Sequence, residues 1–198
     1  MVSLAFPPLR IDPTKSLKSL LLMSEDYWVF AYGSLIWQPG FEYIESCPAT
    51  LHGWHRAMCI LSTHYRGSTE TPGLVLGLER GGSCRGLAYR VAAEQAERVQ
   101  RYLHDREMVS GVYQPRFIRL RLQDGRRVAG HVFIARRDHA QYAGPLGLED
   151  AARLIRQGNG RNGSSRDYLA NTVSHLETLG LRDAALRRLL DLVDHNLR

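Results

Sequence analysis

The sequence YWVFAYGSL, residues 27–35, is the strongest structural signal in this chain of 198 residues. The stretch is apolar, is rich in residues that favour β-strands, and ends on a Gly-Ser pair that is typical of a turn. It predicts a buried strand followed by a loop. Glycine in that loop allows the backbone to approach a ligand closely, and consecutive backbone N–H groups in such a turn can hold an anion. Taken alone, the four residues YGSL favour an ordinary strand-to-loop turn.

Further strand signals follow this segment. Residues 51–62 and 74–78 are apolar runs interrupted by glycines, and Gly81-Gly82 predicts a turn that would fold residues 74–91 into a hairpin. Apolar residues then alternate with arginines over 118–122. Asp124-Gly125 predicts a tight turn into another strand at 128–135. Together these segments predict a β-sheet.

Helical patterns interrupt and then follow the sheet. The apolar spacing predicts a helix over residues 94–107. Three later segments carry helical signals: 148–157, 167–179 and the leucine-rich residues after Asp183. Gly180 is typical of the position just past the end of a helix.

No internal repeat and no linker divides the chain. The sequence therefore predicts an α+β fold with a strongly bent or barrel-like sheet, an inserted helix and helices collected at the carboxyl end. We expect a single catalytic domain over residues 27–198. Residues 1–26 have the mixed composition of an N-terminal extension that is partly flexible.

Composition narrows the class of protein. Hydrophobic residues make up 44% of the chain and charged residues 23%, which is typical of a globular protein. No stretch approaches the roughly 18 apolar residues of a membrane span, and the amino end lacks the features of a signal peptide. The chain has three cysteines, an odd number, and they are widely separated: Cys47, Cys59 and Cys84. They form no CxxC pair, so neither a zinc site nor a dithiol redox motif is predicted. We expect a metal-free protein of the reducing cytoplasm.

A net charge of +6 and a pI near 9.5 raise the possibility of nucleic-acid binding. Lys15 and Lys18 are the only lysines, and the arginines are scattered without a basic block interleaved with aromatics. This pattern favours a solvated surface that also suits anionic small molecules. A polyanion-binding face is the alternative.

Glu107 is the candidate acid–base residue. Val99, Leu103 and Glu107 follow one another at intervals of four, so the carboxylate lies on the apolar stripe of the predicted helix. Burial there would raise its pKa toward the range in which a carboxyl group acts as a base and then as an acid. The alternative is a frayed helix end that leaves Glu107 exposed or paired with Arg106 or Arg101. Helix geometry alone leaves both interpretations open.

Other motifs are weaker. Residues 158–163 spell G-x-G-x-x-G, but they follow a helix pattern and not a strand, so a dinucleotide site is not predicted. His52 and His55 lack the spacing of metal ligands. Ser34 is not surrounded by a nucleophile-elbow motif.

Several ordered motifs together resemble the ChaC family over roughly residues 27–195. The motifs are VFAYGSLIWQPGFEY (29–43), STHYRG (62–67), GLAYRV (86–91), YLHDREMVSGVYQP (102–115), YAGPLGLEDAARLI (142–155) and DYLANT (167–172). The segment at 102–115 resembles the bacterial branch of the family.

The resemblance implies a γ-glutamylcyclotransferase that needs no cofactor. Its substrate would be glutathione, whose α-amine attacks its own γ-carbonyl and releases 5-oxoproline and Cys-Gly. Glu107 would be the acid–base residue, and the YGSL turn would hold the γ-glutamyl part. Tyr142 would complete the site wall with its hydroxyl, or Tyr113 would do so instead. The expected substrate-binding residues before these tyrosines are Val29, Phe30, Ala31, Tyr32, Gly33, Ser34 and Leu35.

Three alternatives stay open. The same chemistry could act on other γ-glutamyl dipeptides or γ-glutamylamines. A regulatory protein without catalysis is a second alternative, although a pure binder has no need of a carboxylate on an apolar stripe. A polyanion binder is the third. We expect a small-molecule partner and neither nucleic acid nor membrane.

Overall fold

The first strand has neighbours on both of its edges. In the computed structural model, which describes residues 26–195, β1 (Tyr27–Ala31) pairs antiparallel with one strand and parallel with another, and all five of its residues are buried. Its continuous apolar sequence suits a strand enclosed in this way. The prediction of a buried strand followed by a loop within residues 27–35 is confirmed: the strand ends at Ala31, and the YGSL residues leave the sheet.

The remaining elements follow in a fixed order along the chain. They are a 3₁₀ turn (Ser34–Ile36), β2 (Glu45–Ser62), β3 (Gly73–Val91), a second 3₁₀ turn (Ala93–Gln95), α1 (Ala96–Glu107), β4 (Tyr113–Leu122), β5 (Arg127–Ala135), α2 (Leu148–Gln157), β6 (Asn159–Gly160), β7 (Gly163–Ser164), α3 (Ser165–Thr178) and α4 (Ala184–His195).

The sheet closes on itself. The strand order is β1-β3-β2-β4-β5, and β5 returns to pair with β1, so the five strands form a closed barrel. Strands β6 and β7 form a separate two-stranded hairpin. Helix α1 is inserted between β3 and β4, and α2, α3 and α4 pack on one another, with α2 and α3 also against β3. The predicted α+β architecture with a barrel-like sheet is confirmed.

The hairpin predicted within residues 74–91 is wrong. Strand β3 runs without interruption from Gly73 to Val91 and pairs along its length with β2. His52 faces Ser83 and Trp54 faces Arg80, so Gly81 and Gly82 form an irregularity in one long strand. Both glycines have positive φ values of 100° and 65°, which explains why glycine is used there without a reversal of the chain.

The helix predictions agree with the structure to within a few residues. Helix α2 spans residues 148–157 as expected. Helix α3 starts two residues earlier than expected, because the hydroxyl of Ser164 accepts a hydrogen bond from the Asp167 amide at 2.9 Å and caps it. Asp183 caps α4 by accepting from the Leu186 amide at 3.2 Å. Of the expected N-terminal extension, all but Asp26 lies outside the described residues.

Within residues 26–195, no helix has the length and apolar character needed to cross a bilayer. The buried residues instead fill the barrel and the layer between the barrel and helices α2, α3 and α4.

Candidate active site

A cavity of about 420 Å³ opens where β1 ends. Its walls come from the loop after β1, the ends of β2 and α1, the start of β4, and single residues of the later segments. The lining residues are Tyr32, Gly33, Ser34, Leu35, Gln38, 60–66, Val75, Leu76, Tyr102, Arg106, Glu107, Val109, Ser110, Val112, Tyr113, Phe133, Gln141, Asn162 and Tyr168.

The YGSL turn lines this cavity, and two of its backbone amides have no partner within the turn. The Gly33 carbonyl accepts from the Ile36 amide at 2.9 Å, which closes a short 3₁₀ turn. The amides of Ser34 and Leu35 precede that first hydrogen bond, so the turn itself supplies no acceptor for them. A Cβ at Gly33 would lie 2.9 Å from the Tyr168 hydroxyl oxygen. Glycine is therefore favoured here, because any larger residue would displace the Tyr168 side chain of α3 or the turn.

Hydrogen bonds from buried side chains connect the turn to the barrel. The Tyr32 hydroxyl donates to the Phe133 carbonyl at 2.8 Å. The Arg56 guanidinium donates to the Tyr32 carbonyl at 2.6 Å and pairs with Asp183 at 2.8 Å. The Arg56 side chain is only 4% exposed. These bonds join the turn to β2, β5 and the residue that caps α4, so the amides at the cavity have a defined position.

Glu107 is the last residue of α1, and it faces the cavity. Its side chain is 18% exposed, and its Oε1 lies 3.2 Å from the Nε of Arg106. Burial raises the pKa of this carboxyl, and the neighbouring Arg106 opposes the rise. The helix has not frayed, so the carboxylate lies on the interior side and is paired with Arg106 at the same time.

Arg106 connects the two parts of the site. Its guanidinium donates to the Gln38 carbonyl at 2.6 Å and to the Ser34 hydroxyl at 3.1 Å. The same group pairs with Glu107. The sequence suggested Arg106 only as a partner of Glu107, because its contact with the turn joins residues that are 72 positions apart.

Three tyrosines surround the carboxylate. Tyr32, Tyr113 and Tyr168 all line the cavity, and burial raises the pKa of each phenol above its ordinary value, so each stays a neutral hydroxyl. The Tyr113 hydroxyl donates to the Leu76 carbonyl at 2.6 Å. Tyr168 was not predicted as a site residue, although the DYLANT motif that contains it was part of the resemblance.

Comparison with known proteins assigns the family. The family model described as ChaC-like protein matches residues 27–196. The chain belongs to the ChaC-like family. The resemblance found in the sequence motifs is thereby confirmed.

Curated relatives of this ChaC-like chain are similar over most of its length. Glutathione-specific gamma-glutamylcyclotransferase of Escherichia coli is 41% identical over 163 residues, which cover 82% of this chain and 71% of the relative. Glutathione-specific gamma-glutamylcyclotransferase 1 of Homo sapiens is 31% identical, with 84% and 78% covered. A crystal structure of a glutathione-specific cyclotransferase from yeast has a TM-score of 0.80 at 24% identity, covering 86% and 96% of the two chains, and supports the fold.

Two predicted features of this ChaC-like site are placed elsewhere. Val29, Phe30 and Ala31 are fully buried and do not line the cavity, because β1 is enclosed and the cavity begins only where the strand ends. Tyr142 also lies outside the cavity. It packs beside Ile60 and close to the Glu79 carboxylate, while its neighbour in sequence, Gln141, lines the cavity. Of the two tyrosines proposed for the wall, the cavity contains Tyr113.

The glycine-rich segment 158–163 contributes to this site through its backbone. It forms the β6–β7 hairpin, which packs on the loop between β2 and β3. A Cβ at Gly160 would lie 2.6 Å from the Gly67 nitrogen, so glycine allows two backbones to pack closely. Within the part of the chain that the structure describes, no group of three or more His, Cys, Asp or Glu side chains could hold a metal ion.

Proposed function

We propose that this chain is a glutathione-specific γ-glutamylcyclotransferase that converts glutathione to 5-oxoproline and Cys-Gly. The observation that carries the proposal is one cavity, lined by Glu107 and the YGSL turn, in which Arg106 contacts both the Glu107 carboxylate and the Ser34 hydroxyl. The curated relatives named for this activity match most of the chain.

The reaction is an intramolecular attack. The α-amine of the γ-glutamyl group adds to its own γ-carbonyl carbon and forms the new C–N bond of a five-membered lactam. The bond from that carbon to the cysteine nitrogen then breaks, and Cys-Gly leaves. Because both reacting groups belong to one molecule, correct alignment supplies much of the acceleration, with effective molarities of about 10⁵ M or more in favourable cases.

Glu107 would move the protons. Its carboxylate would take a proton from the α-ammonium, and the resulting acid would donate it to the departing nitrogen. The regenerated carboxylate would take the second proton that the ring nitrogen loses as the lactam forms, and this proton passes to the Cys-Gly amine or to solvent. The raised pKa favours the first step, since it makes the carboxylate a stronger base than an exposed one. Arg106 would keep the carboxylate oriented toward the cavity through its contact with Oε1.

The turn would stabilise negative charge. Backbone amides at Ser34 and Leu35 are suited to hold either the oxyanion of the tetrahedral intermediate or the α-carboxylate of the substrate. Arg56 and Tyr32 support these amides from behind, so they would need no reorganisation during the reaction. Because Tyr113 donates its own proton to the Leu76 carbonyl, its oxygen would serve as an acceptor for the substrate ammonium.

A product analysis tests this proposal. The purified, chelator-treated protein is incubated with glutathione, and 5-oxoproline, Cys-Gly and glutamate are followed by mass spectrometry. We expect equal amounts of 5-oxoproline and Cys-Gly and no free glutamate. Glutamate in place of 5-oxoproline would mean hydrolysis. If the folded protein forms no product from glutathione, the proposal fails, and a panel of other γ-glutamyl dipeptides and amines tests the alternative substrates.

The same domain is proposed to act in the cytoplasm without nucleic-acid partners. Cys47, Cys59 and Cys84 are buried free thiols, as suits a reducing compartment. Several surface arginines are paired with carboxylates, among them Arg126 with Asp124 at 2.6 Å and Arg187 with Glu177 at 2.5 Å, which leaves less free positive charge for a polyanion. A gel shift with RNA at low salt that is lost at high salt would contradict this part of the proposal.

A further inference from the structure

The end of β2 and the loop that follows it form a second wall of the cavity, residues 62–66. Arg66 lies on this wall and is partly buried. Burial lowers the pKa of its guanidinium, which means that part of its hydration has been lost. A charged group that has lost hydration needs a partner or a function.

Contacts on three sides hold Arg66 in place. Its backbone amide donates to the Ser62 hydroxyl at 2.9 Å. The guanidinium donates to the Asn162 carbonyl on the β6–β7 hairpin. Its Cζ lies 5.5 Å from the centre of the Tyr168 ring, within the range of a cation–π contact. The glycine-rich hairpin thus positions a cation at the cavity.

The charge of Arg66 is not neutralised by a protein carboxylate among residues 26–195. Asp167, the acidic side chain that affects it, pairs with Arg166 at 3.2 Å. A guanidinium has five N–H donors in a planar fork that matches a carboxylate. With one of its terminal nitrogens bonded to Asn162, Arg66 retains donors for an anionic ligand.

Tyr168 connects this wall to the turn. Its hydroxyl end lies beside Gly33, and its ring lies under Arg66. A γ-glutamyl group held at the turn would therefore leave the rest of its substrate pointing along the phenol toward Arg66. Two extended residues span about 7 Å, which is enough to carry a terminal carboxylate past the ring.

We propose that Arg66 binds the glycine carboxylate of the Cys-Gly half of glutathione and so selects the tripeptide over shorter γ-glutamyl substrates. This inference rests on the proposed function. It assigns the wall at residues 62–66 and the β6–β7 hairpin to recognition of the leaving half, while Glu107 and the turn handle the reacting half.

The test pairs a protein variant with a substrate variant. Arg66→Met keeps the length of the side chain and removes its charge. The second substrate is glutathione whose glycine carboxylate is replaced by a carboxamide. For wild type we expect kcat/KM to be at least about tenfold higher with glutathione than with the amide, since a charge-assisted hydrogen bond is lost. Arg66→Met should lower kcat/KM at least about tenfold with glutathione, mainly through KM, and less than about twofold with the amide.

Two further variants complete the design. Arg66→Lys keeps a point charge without the fork and should lie between wild type and Arg66→Met. Arg119→Met removes an exposed arginine of β4 that does not line the cavity, so it should match wild type on both substrates. Thermal melts show which variants are folded.

Each result decides the proposal. If Arg66→Met lowers kcat/KM equally with both substrates, Arg66 acts on the γ-glutamyl half or on structure. If kcat/KM is unchanged with both, Arg66 is not part of the site. Either result overturns the inference while the proposed function stands. If Arg66→Met does not fold, wild type decides, because equal kcat/KM for the two substrates also overturns it. If wild type forms 5-oxoproline from neither glutathione nor the amide, the proposed function itself fails.

Discussion

Two carboxylates in this molecule are each paired with one arginine inside or beside the barrel, yet their surroundings differ. Glu107 lies 3.2 Å from Arg106 and faces the cavity beside the YGSL turn. Glu79 lies 2.6 Å from Arg137, is 7% exposed at its side chain and lies away from the cavity. Its Oε1 is buried without a hydrogen-bond partner among the described residues. A buried, paired carboxylate is therefore a candidate for catalysis only where it meets a cavity and oriented donors.

The largest expected effect separates these two residues by activity. Glu107→Gln keeps the size of the side chain and removes the base, so we expect kcat with glutathione to fall by about 10² to 10⁴. The matched variant Glu79→Gln should retain kcat within about threefold, since that group does not reach the cavity. Initial rates of 5-oxoproline formation measure both. Near wild-type turnover in Glu107→Gln, or a comparable loss in Glu79→Gln, would break the comparison.

A second prediction tests whether the turn gives Glu107 its advantage. In Gly33→Ala the new methyl group would lie 2.9 Å from the Tyr168 hydroxyl oxygen and displace the turn or α3. Misplacement on this scale is expected to reduce kcat/KM by about 10- to 100-fold. Adding Tyr168→Phe removes the clashing oxygen, so the double variant should regain activity relative to Gly33→Ala. A double variant that is no better than the single one would contradict the steric explanation.

The third prediction concerns the pH dependence that Arg106 imposes on Glu107. Arg106 lowers the pKa of this carboxyl against the effect of burial, so Arg106→Met should raise it. A general base must be deprotonated, and activity falls as pH drops through its pKa. The acid limb of kcat/KM should therefore move to higher pH in Arg106→Met and stay in place in Arg101→Met, an exposed arginine of the same helix. A limb that moves to lower pH would contradict this assignment.

The smallest expected effect is on stability and has opposite signs for the two carboxylates. A pKa raised on folding means that the ionised form of Glu107 is disfavoured in the folded protein, so Glu107→Gln should have an equal or higher Tm at pH 7. Glu79→Gln loses the charge that Arg137 pairs with and should lower the unfolding free energy only slightly, because Arg137 is largely exposed and solvent screens the pair. Thermal and denaturant melts of both variants measure these two changes in stability. A clear loss of stability in Glu107→Gln would show that its pairing with Arg106 outweighs its burial.

Local signals were sufficient for much of the fold. Helix α2 was predicted with its observed bounds because its apolar period and its acidic first turn lie within ten residues. Strand β3 was misread because Gly81-Gly82 is a turn signal locally, whereas the 18-residue strand β2 beside it provides hydrogen bonds that keep the chain extended. A partner strand that is distant in sequence overrides a local preference.

The sequence by itself determined the family, the α+β barrel architecture, and Glu107 and the YGSL turn as candidates, because these reside in contiguous motifs and short-range periodicity. Only the tertiary structure decided that Tyr113 and Tyr168 line the cavity while Tyr142 does not. It also placed the guanidinium groups of Arg106 and Arg66 at the cavity wall. The physical reason is closure of the barrel. It brings β2, α1 and α3 to one end of β1, and side-chain contacts across 72 or more residues leave no periodic trace in the sequence.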